Sequence, residues 1–378
     1  MLLNLVRRMS TRSAISSIPT LKNLSHQFST TSKTLAPTAI PEWASPQARS
    51  AAEGLLTRWH AYDDGPSPRP ASDYVQTLDA NQLGLLRVLV EPMVPIPGVE
   101  GHAADMWKER GGEQLLPAEH LAYFTPRIPT SHLGPDGSDP SFNPPGDLFT
   151  RRMWAGGQMT FLQPEKMKVG AEVRERTFIE DVLVKKFGKG AEKDEMLVVW
   201  LKKEYEVARE VVLLDRRSWV FRKALDALPS TSPLPPPTQQ DEAPTSPSSV
   251  STHFLRQKPA DLFRFSALTY NAHQIHLDSH WARTIEGHPD IVVHGPLNLL
   301  LLSRFWLALE AASKRGRKMT GITYRATSPL YANEAYKLVH ISTDVVEEGT
   351  EKRWRDVVQA VRADSDKVIM EATVESTA

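Results

Sequence analysis

One long apolar segment near the carboxyl end restricts the folds that this chain can adopt. It runs from Ile291 to Lys314, contains Leu297-Asn298-Leu299-Leu300-Leu301-Leu302, and is ended by Gly316. Three strand candidates follow it: Ala335–Glu347, Arg353–Ala363 and Lys367–Val374. A buried helix followed by antiparallel strands packs well inside a strongly curved sheet, so this part of the sequence predicts an α+β domain.

The first half of the chain predicts similar elements. Residues Asp79 to Val90 have leucines at helical spacing, and a long irregular loop rich in Pro, Gly, Asp and Ser follows from Pro126 to Pro145. Strand patterns begin at Arg151 and continue through Val173–Val184, Met196–Leu201, Glu204–Leu214 and Arg217–Arg222. Two halves with similar elements indicate a duplicated domain.

A proline-rich segment separates these halves. Seven prolines lie between Pro229 and Ser249, with Ser and Thr between them, and clustered proline blocks both helix and sheet. We therefore divide the chain into a first domain at residues 50–228, a linker at 229–250 and a second domain at 251–378.

Residues 1–40 differ from everything after them. They carry Arg7, Arg8, Arg12, Lys22 and Lys33 and many serines and threonines, and no acidic residue occurs before Glu42. An arginine- and serine-rich segment without acids is typical of a mitochondrial presequence. The sequence thus predicts a mitochondrial matrix location.

Composition argues against several classes of partner. Lysine plus arginine equals aspartate plus glutamate, 45 against 45, and no basic stripe interleaved with aromatics occurs, so we expect no nucleic-acid binding. Cysteine is absent, which excludes disulfides and thiolate metal sites. No segment has the roughly 18 consecutive apolar residues of a spanning helix, so we expect no stable membrane insertion.

The segment Phe265–Asp278 contains the strongest candidates for chemistry. Asn271, His273 and His276 follow one another within six residues, after a strand-like run at Leu262–Leu268. Because imidazole titrates near neutral pH, this run of histidines is a candidate for proton transfer. Two histidines spaced i, i+3 also allow metal binding, but no further ligand is evident nearby, so we expect no metal and no cofactor.

Two pairs of segments resemble a known family. Asn271–Asp278 and Asp290–Leu297 are similar to the type 2 hydratase motif of the (R)-specific enoyl-thioester hydratases, which are MaoC-like, hot-dog proteins. Pro117–Phe124 and Arg151–Gly157 resemble the amino-terminal hot dog of fungal mitochondrial 3-hydroxyacyl-thioester dehydratases type 2 and of mesaconyl-C4-CoA hydratase-like proteins. The resemblance covers nearly all of residues 50–376. It implies a double hot dog, in which two curved antiparallel sheets are each wrapped on a long helix.

The resemblance also implies roles for the candidate residues. The family's catalytic pair is an aspartate and a histidine five residues apart, and Asn271 stands here in place of the aspartate. His276 is then the general acid and base, Asn271 positions water, and the backbone N–H of Gly295 stabilises the thioester oxygen. His273 and His294 support this group.

The first half is implied to have lost its catalytic residues and to shelter the acyl chain. Trp154, Arg152 and Phe161 are its candidate substrate-binding residues. Packing of Trp154 in the core is an equally good interpretation of the same segment.

The function implied is reversible dehydration of (3R)-hydroxyacyl thioesters to trans-2-enoyl thioesters in mitochondrial type II fatty acid synthesis. The partners implied are acyl carrier protein or a CoA thioester, and a second copy of the chain in a homodimer. Two alternatives stay open: a mesaconyl-C4-CoA-type hydratase of a short dicarboxyl CoA ester, and a non-catalytic acyl-binding protein. Basic residues in the acyl pocket would favour the dicarboxyl substrate, and an apolar tunnel would favour a fatty acyl chain.

Overall fold

Ten antiparallel strands form one continuous sheet in the computed structural model. The structure describes residues 38–59, 70–99, 111–188, 194–225, 251–348 and 351–378. Residues 1–37 of the predicted presequence and the whole of the predicted linker 229–250 lie outside these ranges.

The sheet is made of two similar sets of five strands. The strands are β1 (Ser72–Thr77), β2 (Arg151–Phe161), β3 (Glu172–Phe187), β4 (Asp194–Val207), β5 (Glu210–Arg222), β6 (Thr252–Leu255), β7 (Lys318–Ala326), β8 (Tyr336–Glu348), β9 (Glu351–Arg362) and β10 (Val368–Thr377). Their order across the sheet is β1-β3-β4-β5-β2-β7-β10-β9-β8-β6. Outward from the β2–β7 pair, the strand order is β2-β5-β4-β3-β1 in one set and β7-β10-β9-β8-β6 in the other. The two orders correspond strand by strand, which fits the predicted duplication.

The long apolar helix is present, but it is shorter than the sequence indicated. Within the described residues it is one of five α-helices: α1 (Pro46–Arg58), α2 (Ala80–Val90), α3 (Pro259–Leu268), α4 (Ser279–Thr284) and α5 (Gly295–Ser313). Residues 291–294 are not helical, because Pro296 favours the first turn of a helix and α5 starts just before it. The helix stops where Lys314 adopts a left-handed conformation with φ 53°.

Most of α5 is buried, and it packs against β8, β9 and β10. Among the described residues of the first half no helix is as long: α1 has 13 residues and α2 has 11, so the two halves are unequal in this respect. The side chain of Asp79 accepts a hydrogen bond from the backbone N–H of Gln82 and caps α2.

The prediction of a strand at Leu262–Leu268 is wrong, because these residues form most of α3. Pro259 occupies the first turn, and the carboxylate of Asp261 accepts a hydrogen bond from the backbone N–H of Lys258. Leu262, Phe265 and Ser266 are buried at helical spacing. The histidine segment therefore follows a helix, and not a strand.

Strand boundaries in the first half also differ from the prediction. A two-residue turn at Ala208 and Arg209 separates β4 from β5, so Glu204–Leu214 is not one strand. Both turn residues have positive φ, a conformation for which Asn-Gly is the usual sequence. The pair Ala-Arg gives no such signal. The helix α1, which packs on β3 and β4, was also not predicted.

Within the described ranges, none of the helices is long and apolar enough to cross a membrane.

Candidate active site

A cavity of about 570 Å³ lies between the two halves. The second half contributes Asn271, His294 and Pro296 to its wall, and the first half contributes strand residues of its own sheet. The segments that the sequence singled out in the two halves therefore meet at one cavity.

The conformation of the loop after α3 orients Asn271. The backbone of Tyr270 takes a left-handed φ of 50°, and the N–H of Asn271 donates to the carbonyl of Ser266 at 2.8 Å. The Oδ1 atom of Asn271 accepts a hydrogen bond from the backbone N–H of His273 at 3.1 Å. Because the oxygen is used in this way, the Nδ2 group of Asn271 is left as the donor for a ligand.

Hydrogen bonding sets the tautomer of His276. Its Nδ1 lies 2.7 Å from the carbonyl oxygen of Val292, and a carbonyl can only accept, so Nδ1 carries the proton. Burial lowers the pKa of His276 to about 4, so the ring is neutral near pH 7. Nε2 then has a free lone pair, which is the form that a general base needs.

Two further imidazoles lie beside the ring of His276. The ring of His294 stacks on His276 with centroids 3.7 Å apart, and His273 meets His276 edge-on at 5.5 Å. Nε2 of His294 lies 2.9 Å from Oγ of Ser266. Burial holds the pKa values of His273 and His294 well below the ordinary value, so the group is uncharged at neutral pH.

A loop of the first half holds the histidine segment in place. The backbone N–H of Gln274 donates to the carbonyl of Asp136 at 2.8 Å, and Oδ2 of Asp136 lies 3.2 Å from Nε2 of His273. A Cβ on Gly137 would stand 2.2 Å from the carbonyl oxygen of Ala272, so only glycine permits this approach. The conformation of the histidine segment thus depends on both halves of the chain.

Gly295 is the first residue of α5, and Trp154 covers its Cα. A Cβ at this position would lie 2.9 Å from three atoms of Trp154, so a side chain does not fit. The N–H groups of a first helical turn have no partner within the helix, and they lie at the positive end of the helix dipole. The backbone of Gly295 is therefore suited to an anionic oxygen.

The three predicted substrate-binding residues occupy different places. Arg152 lines the cavity, donates to the carbonyl of Asp139 at 2.8 Å and lies over the ring of Trp219. Trp154 packs between Gly295 and Tyr324 and does not line the cavity. Phe161 packs against the core of the described part of the chain and is also absent from the cavity wall. His276 does not line the cavity, whereas His294, which stacks on it, does.

Sequence reasoning missed a group of charged residues in the cavity wall. We call it the polar cluster: His120, Glu175, Lys203, Tyr205 and Arg217. Glu175 lies on β3, Lys203 and Tyr205 on β4, and Arg217 on β5, and all three strands are neighbours. Side chains two residues apart share one face of a strand, so polar residues at such spacing on an otherwise apolar face were the available signal.

Hydrogen bonds connect the polar cluster. Nζ of Lys203 donates to Oε1 of Glu175 at 2.7 Å and to Oγ1 of Thr177 at 2.9 Å. Arg217 pairs with Asp215, which is fully buried behind it and lies 3.4 Å from Nε2 of His120.

Burial lowers the pKa of Lys203 in spite of its carboxylate partner. For Arg217 the Asp215 carboxylate outweighs burial and raises the pKa. Within the described ranges, no three His, Asp or Glu side chains are grouped to hold a metal ion.

Comparison with known proteins finds related sequences. The sequence profile of the family described as "Hydroxyacyl-thioester dehydratase type 2" matches residues 118–332. A mesaconyl-C(4)-CoA hydratase of Chloroflexus aurantiacus is 31% identical over 229 residues, which cover 60% of this chain and 74% of the relative. The mitochondrial hydroxyacyl-thioester dehydratase type 2 of Schizosaccharomyces pombe is 24% identical over 245 residues, which cover 59% of this chain and 77% of the relative.

The fold also has a solved counterpart. A MaoC-like dehydratase superposes with a TM-score of 0.53 at 14% identity, covering 82% of this chain and 98% of that structure. At this identity the match concerns the fold alone. The α+β hot-dog architecture expected from the sequence is confirmed, with the two sheets joined through β2 and β7.

Proposed function

Because this chain belongs to the hydroxyacyl-thioester dehydratase type 2 family and is a hydro-lyase, we propose that His276, Asn271 and Gly295 interconvert (3R)-hydroxyacyl and trans-2-enoyl thioesters. The observation that carries this assignment is the bond from Nδ1 of His276 to the carbonyl of Val292. It leaves Nε2 unprotonated in a segment where Asn271 presents an N–H donor.

In the hydration direction, water adds across the C2–C3 double bond of the thioester. Nε2 of His276 takes a proton from the water, whose oxygen forms a bond to C3. The double-bond electrons move toward the thioester carbonyl, and the N–H of Gly295 stabilises the negative oxygen. The imidazolium then returns its proton to C2. Dehydration follows the same steps in reverse, and no redox partner is needed.

A single assay tests this proposal. Purified protein is mixed with crotonyl-CoA, and the loss of enoyl absorbance is followed. Steady hydration supports a hydro-lyase. A protein that binds the thioester and leaves the absorbance unchanged would instead be the non-catalytic acyl-binding protein.

We propose mitochondrial type II fatty acid synthesis as the setting, with acyl carrier protein as the natural carrier and the matrix as location. The name of the Schizosaccharomyces pombe relative and the acid-free residues 1–40 support this setting. Fusion of residues 1–40 to a reporter should direct it to mitochondria. Comparing acyl carrier protein and CoA thioesters of one acyl group tests the carrier, and sedimentation tests the proposed homodimer.

A second candidate is hydration of a short CoA ester that carries two carboxyl groups. The name of the Chloroflexus aurantiacus relative supports it, and so does the wall of the cavity. Lys203 and Arg217 place two cations where an apolar tunnel would be expected for a fatty acyl chain.

A further inference from the structure

The cavity wall presents more positive than negative charge. Five charged side chains line it: the cations Arg152, Lys203 and Arg217, and the carboxylates Asp139 and Glu175. Among the described residues, three cations and two carboxylates therefore face the interior of the cavity. Asp215, which pairs with Arg217, is fully buried and is not part of the wall. The histidines in the wall, His120 and His294, are neutral because burial lowers their pKa values.

The cations of the polar cluster retain hydrogen-bond donors. The ammonium of Lys203 uses two of its three N–H groups on Glu175 and Thr177. The guanidinium of Arg217 has five N–H groups, and Asp215 accepts from one of its terminal nitrogens. Only 12% of the Lys203 side chain and 11% of the Arg217 side chain are exposed. Such donors are costly to bury unless a ligand completes their bonding.

An alkyl chain would not complete the hydrogen bonding of these donors. It would displace water from the ammonium and guanidinium and offer no acceptor in return. A carboxylate offers acceptors to these N–H groups and forms charge-assisted hydrogen bonds with them.

The polar cluster and Asn271 of the histidine segment line the same cavity. Arg217 packs over the ring of Trp154 with its guanidinium carbon 5.1 Å from the centroid, and the other contacts of Trp154 include Gly295. One indole therefore lies between the polar cluster and the start of α5. A short acyl group is long enough to span the width of an indole.

We infer that the polar cluster is a subsite for a carboxylate carried on the acyl group, with Lys203 and Arg217 as its ligands. This inference rests on the proposed hydratase reaction and adds the residues that select the acyl group. The first half of the chain then determines specificity, because it binds the end of the acyl group that does not react.

A matched pair of thioesters tests the selection. The acyl groups of glutaconyl-CoA and trans-2-pentenoyl-CoA both have five carbons and differ only in a terminal carboxylate or methyl group. The wild-type protein should hydrate glutaconyl-CoA with a kcat/KM about 10- to 100-fold higher, the equivalent of one charge-assisted hydrogen bond. Equal values would overturn the inference. Hydration of neither thioester would instead overturn the proposed function.

A pair of variants locates the effect. Lys203→Met removes the ammonium and keeps the length of the side chain, so kcat/KM for glutaconyl-CoA should fall by about 10- to 100-fold, with pentenoyl-CoA unchanged or improved. Lys202→Met is the matched control, because Lys202 points to the other face of β4 and pairs with Glu204 at 2.9 Å. Equal losses for both thioesters in Lys203→Met would mean that the polar cluster is only a structural ion network.

Two further measurements test the subsite even if Lys203→Met does not fold. Lys203→Arg keeps the positive charge, so it should keep the preference for glutaconyl-CoA. Inhibition of the wild type by saturated glutaryl-CoA and pentanoyl-CoA needs no variant at all. Tighter inhibition by glutaryl-CoA is expected, and equal inhibition would contradict the subsite.

Discussion

Oδ2 of Asp136 lies 3.2 Å from Nε2 of His273, although 136 residues of sequence separate them. The carboxylate also accepts hydrogen bonds from the N–H and Oγ of Ser138, which fix its position. Since Asn271 stands where the family resemblance places an aspartate, Asp136 supplies a carboxylate to the histidine group from the other half of the chain.

We expect Asp136→Asn to lower kcat by about 10- to 100-fold, because the change removes the negative charge beside the neutral ring of His273. The backbone carbonyl of Asp136, which accepts from Gln274, is unchanged by this substitution. If Asp136 acts through His273, then Asp136→Asn should add no further loss to His273→Ala. Full additivity of the two losses would contradict this role. Asp147→Asn removes an exposed carboxylate from the same long loop and serves as the control.

His276→Ala should lower the hydration rate of crotonyl-CoA by about 10²- to 10⁴-fold, the usual loss for a general acid and base. The fold should persist, which circular dichroism and thermal melting can check. His280→Ala, at an exposed position in the same segment, should keep full activity. Turnover near the wild-type rate in folded His276→Ala would remove His276 from the mechanism.

Asn271→Ala should lower turnover strongly, because both the donor to water and the acceptor for the N–H of His273 are lost. Asn271→Asp keeps the acceptor and adds a carboxylate that can act as a base, so it should retain or partly restore activity. The measurement is kcat with crotonyl-CoA for the three proteins. Equal turnover in the wild type and the alanine variant would exclude a role in placing water.

Gly295→Ala should reduce both stability and activity, since its Cβ would lie 2.9 Å from three atoms of Trp154. Overpacking of this kind costs about 1–3 kcal/mol in the free energy of unfolding. A second change, Trp154→Leu, should recover part of the lost melting temperature by making room. Unchanged melting and turnover in Gly295→Ala would show that the indole moves away freely.

Stability should fall as the pH drops below about 6.5, the ordinary pKa of histidine. Burial lowers the pKa values of His276 and His288 to about 4, so the folded protein keeps these rings neutral while the unfolded chain binds protons. Stability therefore rises with pH between about 4 and 6.5 and is constant above that range for these groups. Thermal melting between pH 5 and pH 7.5 measures the change. A melting temperature independent of pH would contradict it.

Local sequence signals predicted some elements well and failed for others. The leucine spacing of α2 and the apolar run of α5 were sufficient to identify helices, because burial of one face dominates there. Leu262–Leu268 was misread because its apolar residues fit a strand as well as a helix. The capping residue Asp261 and the proline at 259 were the signals that distinguish the two.

Only the part of the site that comes from one segment of sequence was predictable. Asn271, His273 and His276 come from one segment, and the structure groups them with His294. The approach of Asp136 to His273 joins distant loops, and no spacing rule reveals it. Likewise, Glu175, Lys203 and Arg217 meet because β3, β4 and β5 pair in a particular register, which depends on turns that the sequence did not show.

The pairing of β2 with β7 has a consequence for how this protein can evolve. In an assembly of two identical chains, every mutation would alter both copies of the domain at once. Here the two domains are encoded separately, so selection can act on one without changing the other. The first can accumulate charged residues along the cavity wall while the second keeps its histidines, so one side of the cavity can change while the other stays the same.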